Sequence, residues 1–170
     1  MHKSKRIVTI VYLLAFVLLT IGCSKNSLYQ KAEVQLTPDN PNIIPSSTIV
    51  TDIAESVITA TLITGVSCSV IGYDLTYQTI LGDNIDSLNI YNIKTERSIT
   101  ASVSDNEVTP VDQTFPVRPY TEGVMNLLQS STSAISPIRA TVNVHFKDVN
   151  NNEFSEKVHF LCWKYVPSSE

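Results

Sequence analysis

Two histidines offer the side chain best suited to acid–base or metal chemistry, and both lie near the C-terminal end of the chain. His145 and His159 share the outward parity of an alternating segment. In the strand register that this pattern favours, His145 lies opposite Lys157 and His159 opposite Asn143, so no carboxylate orients either ring. A metal-binding or catalytic pair is the alternative, but we expect two solvated strand histidines.

Sequence signatures of nucleophilic, zinc-dependent or nucleotide-dependent catalysis do not occur in this chain. It contains no G-x-S-x-G, no H-E-x-x-H and no glycine loop of the kind that binds phosphate, and it has only five glycines. We therefore expect a protein that is not an enzyme and that uses no cofactor and no metal ion.

The spacing Asp148-x-Asn150-x-Asn152 matches the opening of a calcium-binding loop. Glu153 stands where such a loop requires glycine, and His159 stands where it requires a bidentate glutamate. Both differences remove ligands or geometry that the ion needs, so this segment is not an EF-hand.

Two further groups of side chains suggest ligand binding. Acids and amides in two predicted turns could meet in a looser calcium site, although acids in hydrated turns are the favoured interpretation. These residues are Asp83, Asn84, Asp86, Asp105 and Glu107. Tyr73 and Tyr77 could present aromatic surface to a sugar or a peptide, but tyrosine at a period of two in a strand more often packs in the core.

Cys68 and Cys162 allow two interpretations. A disulfide between them would close a loop of 94 residues and would stabilise the fold by about 4–5 kcal/mol in the chain-entropy model. Alternatively, each is a separate buried thiol that behaves as a small apolar side chain. Neither lies in a C-x-x-C motif, and two cysteines alone do not complete a zinc site.

A third cysteine ends an N-terminal segment that resembles an export signal. Lys3, Lys5 and Arg6 precede an uncharged run over residues 7–22, and Cys23 follows it. The run is shorter than the roughly 20 apolar residues that span a bilayer comfortably. An uncleaved signal anchor is therefore the weaker alternative to a cleaved signal peptide.

The residues Leu19-Thr20-Ile21-Gly22-Cys23 resemble the lipobox of bacterial lipoproteins. The resemblance implies removal of residues 1–22 and lipidation of Cys23, with the acyl chains holding the protein to a bacterial membrane. The mature protein would then face the periplasm or the cell surface. In the Gram-negative sorting rule, Ser24 after the cysteine favours the outer membrane.

Composition limits both the partners and the fold. Removal of residues 1–22 takes away three of the 12 Lys and Arg residues and none of the 16 Asp and Glu residues, which leaves a formal charge of −7. Because the remaining cations are scattered singly along the sequence, we expect no nucleic-acid partner. The oligomeric state is left open. Abundant Ile, Val, Thr and Tyr predict a single β-rich domain.

Proline spacing and period-two alternation divide the mature chain. Residues 23–46 carry Pro38, Pro41 and Pro45 and predict a flexible tether before a domain over residues 47–170. Strands are predicted over residues 56–64 and 67–80, the second with a bulge near Gly72 that lets Ile71 and the tyrosines after it face the core.

Shorter elements are predicted in the middle of the domain. The pattern indicates brief strands over residues 88–93 and 98–103, and residues 111–118 form an edge strand or crossing segment because prolines bracket them. Residues 121–129 are the one helical segment, with Thr121 as its N-cap.

The clearest pattern predicts a hairpin over residues 139–165. A loop with an odd number of residues, here the three asparagines, keeps the apolar residues of both strands on one face. The favoured register pairs Val149 with Glu153. The other expected pairs are Val144 with Val158, Val142 with Phe160, Ala140 with Cys162, and Arg139 with Trp163 as a cation–π contact.

Two segments resemble immunoglobulin-like or fibronectin-like domains of bacterial lipoproteins, namely residues 71–77 (IGYDLTY) and 140–152 (ATVNVHFKDVNNN). The resemblance implies an all-β, antiparallel sandwich of about seven strands. We expect a non-enzymatic structural or protein-binding module of the cell envelope. A calcium- or carbohydrate-binding β-sandwich domain is the alternative.

Overall fold

β-Strands account for more than half of the residues that the structure describes. The computed structural model describes residues 30–47, 49, 55–105, 107–130 and 136–167. Within these ranges one α-helix occurs, α1 (Glu122–Ser130), together with a 3₁₀ turn over Asp86–Leu88. The strands are β1 (Val34–Pro38), β2 (Asn42–Ile43), β3 (Ser56–Leu62), β4 (Cys68–Thr79), β5 (Ile90–Ile93), β6 (Arg97–Ile99), β7 (Ser102–Ser104), β8 (Glu107–Thr109), β9 (Val111–Val117), β10 (Ile138–Asp148) and β11 (Glu153–Cys162).

The strands form two main sheets. The smaller sheet has the antiparallel order β1-β3-β9, and the larger has the order β2-β11-β10-β4-β5, with β6 also pairing with β4. All pairs in these sheets are antiparallel except β2 with β11, which is parallel. The short strands β7 and β8 form a separate hairpin. The prediction of an all-β fold is confirmed, whereas the count of about seven strands is not, because several short strands flank the long ones.

Both main sheets contribute alternate residues to one hydrophobic core. Every second residue of β3 is buried, from Ser56 through Leu62, and every second residue of β10 is buried, from Ile138 through Asp148. Phe160 is completely buried, and complete burial of one such side chain contributes about 1.5–3 kcal/mol. The predicted alternation is therefore confirmed on these strands.

Helix α1 covers part of this core. Val124 and Leu128 are its two buried residues, and the Val124 N–H donates to Thr121 Oγ1 at 3.3 Å. Thr121 is thus the N-cap that the sequence predicts. The segment before the helix also agrees with prediction, because β9 lies at the edge of the smaller sheet, where Pro116 removes no interior ladder bond.

The predicted bulge in β4 is present. Val70 lies opposite Phe146 and Gly72 opposite His145, so Ile71 is an extra residue without a partner on β10. The inward parity changes there, which buries Tyr73 after the bulge as well as Val70 before it. The expectation for Ile71 itself is wrong, since this side chain is 39% exposed.

The hairpin of β10 and β11 is confirmed, but its predicted register is wrong by two residues. The innermost pair is Lys147 with Glu153, not Val149 with Glu153. The loop is still odd, so the same side chains face the core. The observed pairs include Val142 with Val158, Ala140 with Phe160, Ile138 with Cys162, and Arg139 with Leu161 in place of Trp163.

The side chain of Asp148 explains the longer loop. It is 4% exposed and accepts hydrogen bonds from Asn150 N at 2.8 Å, Asn152 N at 2.9 Å and Asn152 Nδ2 at 2.9 Å. Burial alone would raise the pKa of this carboxyl, but these donors and the Ala32 N–H outweigh burial and lower it. Asn151 adopts a φ of 64°, as the turn requires. A loop organised around Asp148 is more favourable than a tight turn at the three asparagines.

The predicted tether is partly wrong, because β1 and β2 lie within it. The compact unit begins at Lys31 rather than at residue 47. β1 pairs with β3 over its whole length, and Pro41 accepts a hydrogen bond from Leu161 N at 2.7 Å. Proline lacks a donor but keeps its carbonyl, so proline content did not exclude strand pairing here.

Candidate functional site

The outer face of β4, β10 and β11 collects most of the polar side chains that could bind or react. Residues of the three strands form rows across the sheet, for example Asp74–Asn143–Lys157 and Thr76–Thr141–His159. Their inward neighbours fill the core, so the alternation that buries one set of side chains turns the other to solvent. We call this surface, defined by Asp74, Thr76, Arg139, Thr141, Asn143, His145, Ser155, Lys157 and His159, the outer face.

His145 forms a pair with Asp74 on the outer face. Its Nε2 lies 2.9 Å from Asp74 Oδ2, and the two side chains are 34% and 20% exposed. The expectation that no carboxylate orients His145 is therefore wrong. The pair fixes the imidazole, because a ring nitrogen held by a carboxylate sets the ring orientation.

The second oxygen of Asp74 holds β5 in place. Asp74 Oδ1 accepts the Asn92 N–H at 2.8 Å, and Asn92 has a φ of 60° where the pairing of β4 with β5 is irregular. A polar Asn tolerates this left-handed conformation better than a β-branched residue would. One carboxylate thus connects β4, β5 and β10.

An open trough of about 500 Å³ lies beside this pair. It crosses from β5 to β11, and Gly72 belongs to its lining. A Cβ at Gly72 would come within 2.8 Å of the Ile93 carbonyl oxygen, so glycine is required for β5 to approach so closely. Polar side chains also line the trough, including Asn92, Lys94, His145, Glu153 and Ser155.

The chemistry of the trough favours binding. Ser155 lies directly opposite His145 on β11, but no hydrogen bond joins these two described side chains, so the serine is not activated by the imidazole. The groups present can donate or accept hydrogen bonds to a ligand or to a partner backbone.

His159 occupies the other end of the outer face. Its Nδ1 lies 2.9 Å from Thr141 Oγ1. Burial lowers the pKa of His159, and the charges of Arg139 and Lys157 lower it further. The ring is therefore neutral over a wider pH range than the ring of a solvated histidine. The residue opposite His159 is Thr141, not the expected Asn143, and two cations lie nearby.

Cys68 and Cys162 are free and buried. Cys68 pairs with Asp148 at one end of β10, and Cys162 pairs with Ile138 at the other end. Eleven residues of strand separate them by roughly 30 Å, whereas a disulfide needs Cα atoms within about 7 Å. Burial raises the pKa of Cys68 to about 11 and that of Cys162 to about 12, so the structure places two unreactive thiols where a bridge was one alternative.

Tyr73 and Tyr77 do not present ring faces to solvent. They are 7% and 1% exposed, and Tyr77 donates its hydroxyl to the Pro119 carbonyl oxygen at 3.0 Å. Burial raises the pKa of both phenols. Their period-two spacing reflects packing, so they offer no sugar-binding surface.

Most of the acidic and amide side chains considered for the looser calcium site form hydrogen bonds within their own turns. Thr79 binds Asp83, Gln78 binds Asn84, and Asn89 binds Asp86. Asp105 and Glu107 belong to the separate hairpin of β7 and β8. In the described part of the chain, no three acids, histidines or cysteines are arranged to hold a metal ion.

The predicted signal peptide and Cys23 lie outside the described residues. None of the helices in the described ranges has both the length and the apolar character needed to cross a bilayer.

Comparisons with known proteins do not assign a family. No family profile matches the chain, and no curated protein matches it. A Bordetella pertussis protein assigned the name ApaA is similar in structure, with a TM-score of 0.38 and 12% identity, over 82% of this chain and 96% of that one. The sporulation control protein Spo0M of Bacillus subtilis gives a TM-score of 0.35 and 9% identity, over 81% of this chain and 51% of its own.

Proposed function

We propose that this protein is a bacterial lipoprotein, anchored through Cys23, whose domain is a non-enzymatic protein-binding module of the cell envelope. The anchor rests on the sequence of residues 1–23, with its short charged start, its uncharged run and the Gly22-Cys23 junction. Two or three acyl chains would hold such a protein to a membrane stably.

The strand order supports a more specific fold, an immunoglobulin-like sandwich. The order β1-β3-β9 corresponds to strands A-B-E of that fold, and β11-β10-β4-β5 corresponds to G-F-C-C′. The two sheets contribute to one core, as sandwich sheets do. The cysteine and tryptophan signature of antibody domains has no counterpart here, because Cys68 and Cys162 lie on the strands equivalent to C and G.

The ordered polar outer face is the observation that carries the binding function. Asp74 fixes His145 and the β5 backbone together, so the trough is held in shape before any partner arrives. A preorganised surface binds at a lower entropic cost than a mobile one. An accessory component of an envelope assembly would need such a surface at the end of a membrane anchor.

The anchor is tested by the intact mass of protein extracted from membranes. We expect a chain that begins at Cys23 and carries an excess mass equal to its acyl groups. A chain that begins at Met1 without added mass would refute the anchor. A Cys23→Ala variant is the matched control and should remain unprocessed.

The binding surface is tested by photo-crosslinking in whole cells. A crosslinking amino acid at Ser155, an exposed position on the outer face, should capture a protein partner. The same amino acid at Thr114, an exposed strand position on the smaller sheet, should capture none. Equal capture at both sites, or none at Ser155, would refute binding through the outer face.

A further inference from the structure

Three basic side chains cluster at one end of the outer face. Lys157 and His159 are two residues apart on β11 and so point the same way, and Arg139 on β10 is diagonal to His159. The charges of Arg139 and Lys157 both depress the pKa of His159, in agreement with the register, which places each cation beside His159. We call Arg139, Lys157 and His159 the basic patch.

No acidic side chain neutralises the basic patch among the described residues. Asp74 lies in the same row as Lys157 but two strands away, and its carboxylate pairs with His145, while Glu153 lies 3.7 Å from Lys147. By contrast, Arg139 and Lys157 form no ion pair within the part of the chain that the structure describes. Like charges placed side by side destabilise a fold slightly, so a cluster without counter-charges suits an external anionic partner.

The spacing of the patch fits an extended peptide. Residues two apart on a strand are about 6.6 Å apart, and Lys157 and His159 present two sites at this interval. Side chains two apart on an extended peptide repeat at the same interval, so alternate carboxylates could meet both sites at once. The bond between His159 Nδ1 and Thr141 orients the ring, and Nε2, which forms no hydrogen bond among the described residues, is the ring nitrogen available to a ligand.

We infer that the basic patch docks an extended segment of the partner protein in which Asp or Glu occupies alternate positions. This inference rests on the proposed protein-binding function and specifies the chemistry of the partner. Charge complementarity carries it. The chain that remains after signal removal has a formal charge of −7 and repels acidic segments in general, whereas the basic patch attracts them locally.

The test uses full-length protein in detergent and a fluorescent peptide that alternates Glu and Ser, with a Gln–Ser peptide as the control ligand. We expect the Glu peptide to bind, its affinity to fall as salt rises, and the Gln peptide not to bind. The double variant Arg139→Glu, Lys157→Glu should weaken binding at least about tenfold, since like charges then oppose each other.

A matched control distinguishes the effect of the basic patch on peptide affinity from the effect of the change in net charge. The variant Lys31→Glu, together with Arg97→Glu, makes the same change in charge at two exposed positions outside the outer face and the trough and should retain most of the affinity. Equal losses in the two double variants, or no binding of the Glu peptide at low salt, would overturn the inference. Melting curves would confirm that these substitutions leave the protein folded.

Two further outcomes separate this inference from the function on which it rests. Vesicles of phosphatidylglycerol that displace the Glu peptide at equal charge concentration would indicate a lipid occupant and overturn the inference. The crosslinking amino acid at Ser155 can also be placed in the Arg139→Glu, Lys157→Glu variant. If this variant captures the partner in cells as well as the wild type does, binding through the outer face stands, and docking of an acidic segment on the basic patch is refuted. Peptide binding without any capture in cells would instead refute the proposed function.

Discussion

The two faces of the β10–β11 hairpin differ in how they depend on strand register. On the inner face any apolar residue can pack against any other, so a slip by two residues would still bury the same set of side chains. On the outer face each polar group needs a particular partner, and the same slip would replace Ser155 opposite His145 with Lys157. Packing thus determines which side chains face the core, whereas the loop at Asp148 determines which residues of β10 and β11 lie opposite each other.

The largest effect is expected on the inner face. Phe160→Ala removes a ring that is fully buried and should lower the free energy of unfolding by about 3–5 kcal/mol. Urea denaturation measures this change. Leu161→Ala, at the adjacent outward position, is the control and should have a much smaller effect. Similar losses at the two positions would contradict the assignment of faces.

The close approach of β5 to β4 gives the next largest effect. Gly72→Ala should lower the free energy of unfolding by about 1–3 kcal/mol, because the added methyl group would lie 2.8 Å from the Ile93 carbonyl oxygen. Gly65→Ala is a suitable comparison, since its methyl group would meet only the side chains of Val103 and Val108. Thermal denaturation that ranked Gly65→Ala as the more harmful change would refute this packing.

The loop that sets the register should make stability depend on acid. The pKa of Asp148 lies below its ordinary value of 3.8 when folded, so its contribution is present above that value and is lost as the pH falls through the folded pKa. Asp148→Asn should therefore destabilise the protein at about pH 7 and approach the wild type as the pH falls toward about 3. Urea titrations at both pH values test this. Asp83→Asn, in another turn, is the control. Its difference in stability from the wild type should not shrink in this way as the pH falls.

The polar pair on the outer face should contribute little to stability. Asp74 and His145 are both partly exposed, so their coupling energy should be under about 1 kcal/mol. A double-mutant cycle with Asp74→Asn and His145→Gln measures it. A coupling energy of several kcal/mol would mean that the outer face stabilises the fold as strongly as the core does.

The smallest effect concerns the protonation of His159. Arg139→Gln should raise the pKa of His159 toward 6.5, because one of the two cations that lower it is removed. An NMR titration of the ring protons reports the change, and Lys94→Gln should leave the pKa of His159 where it was. Since the folded pKa is lowered, His159 costs stability only as the pH falls below 6.5, and Arg139→Gln should reduce that cost.

Local patterns predicted much of the fold. Period-two alternation located β3, β4, β10 and β11, and the hydroxyl of Thr121 marked the start of α1. The change of parity along residues 67–80 predicted the bulge near Gly72. Each of these features depends on residues close together in the chain.

The features that were missed depend on residues far apart in the chain. Asp74 and His145 are separated by 71 positions, and their meeting depends on the bulge and on the pairing of β4 with β10. β1 joins β3 although the prolines around it suggested a tether. Period-two patterns cannot detect such contacts, because they specify a face but not a neighbour.

The passage of the N-terminal segment from one sheet to the other has a mechanical consequence. β1 pairs with β3 in the smaller sheet, and β2 then runs parallel to β11 in the larger one. In a parallel pair, the start of β2 and the end of β11 lie at opposite ends, so tension between them slides the strands along each other. Sliding loads all the hydrogen bonds of the pair together instead of one at a time. A domain pulled by its N-terminal and C-terminal ends would therefore resist unfolding before its core was exposed.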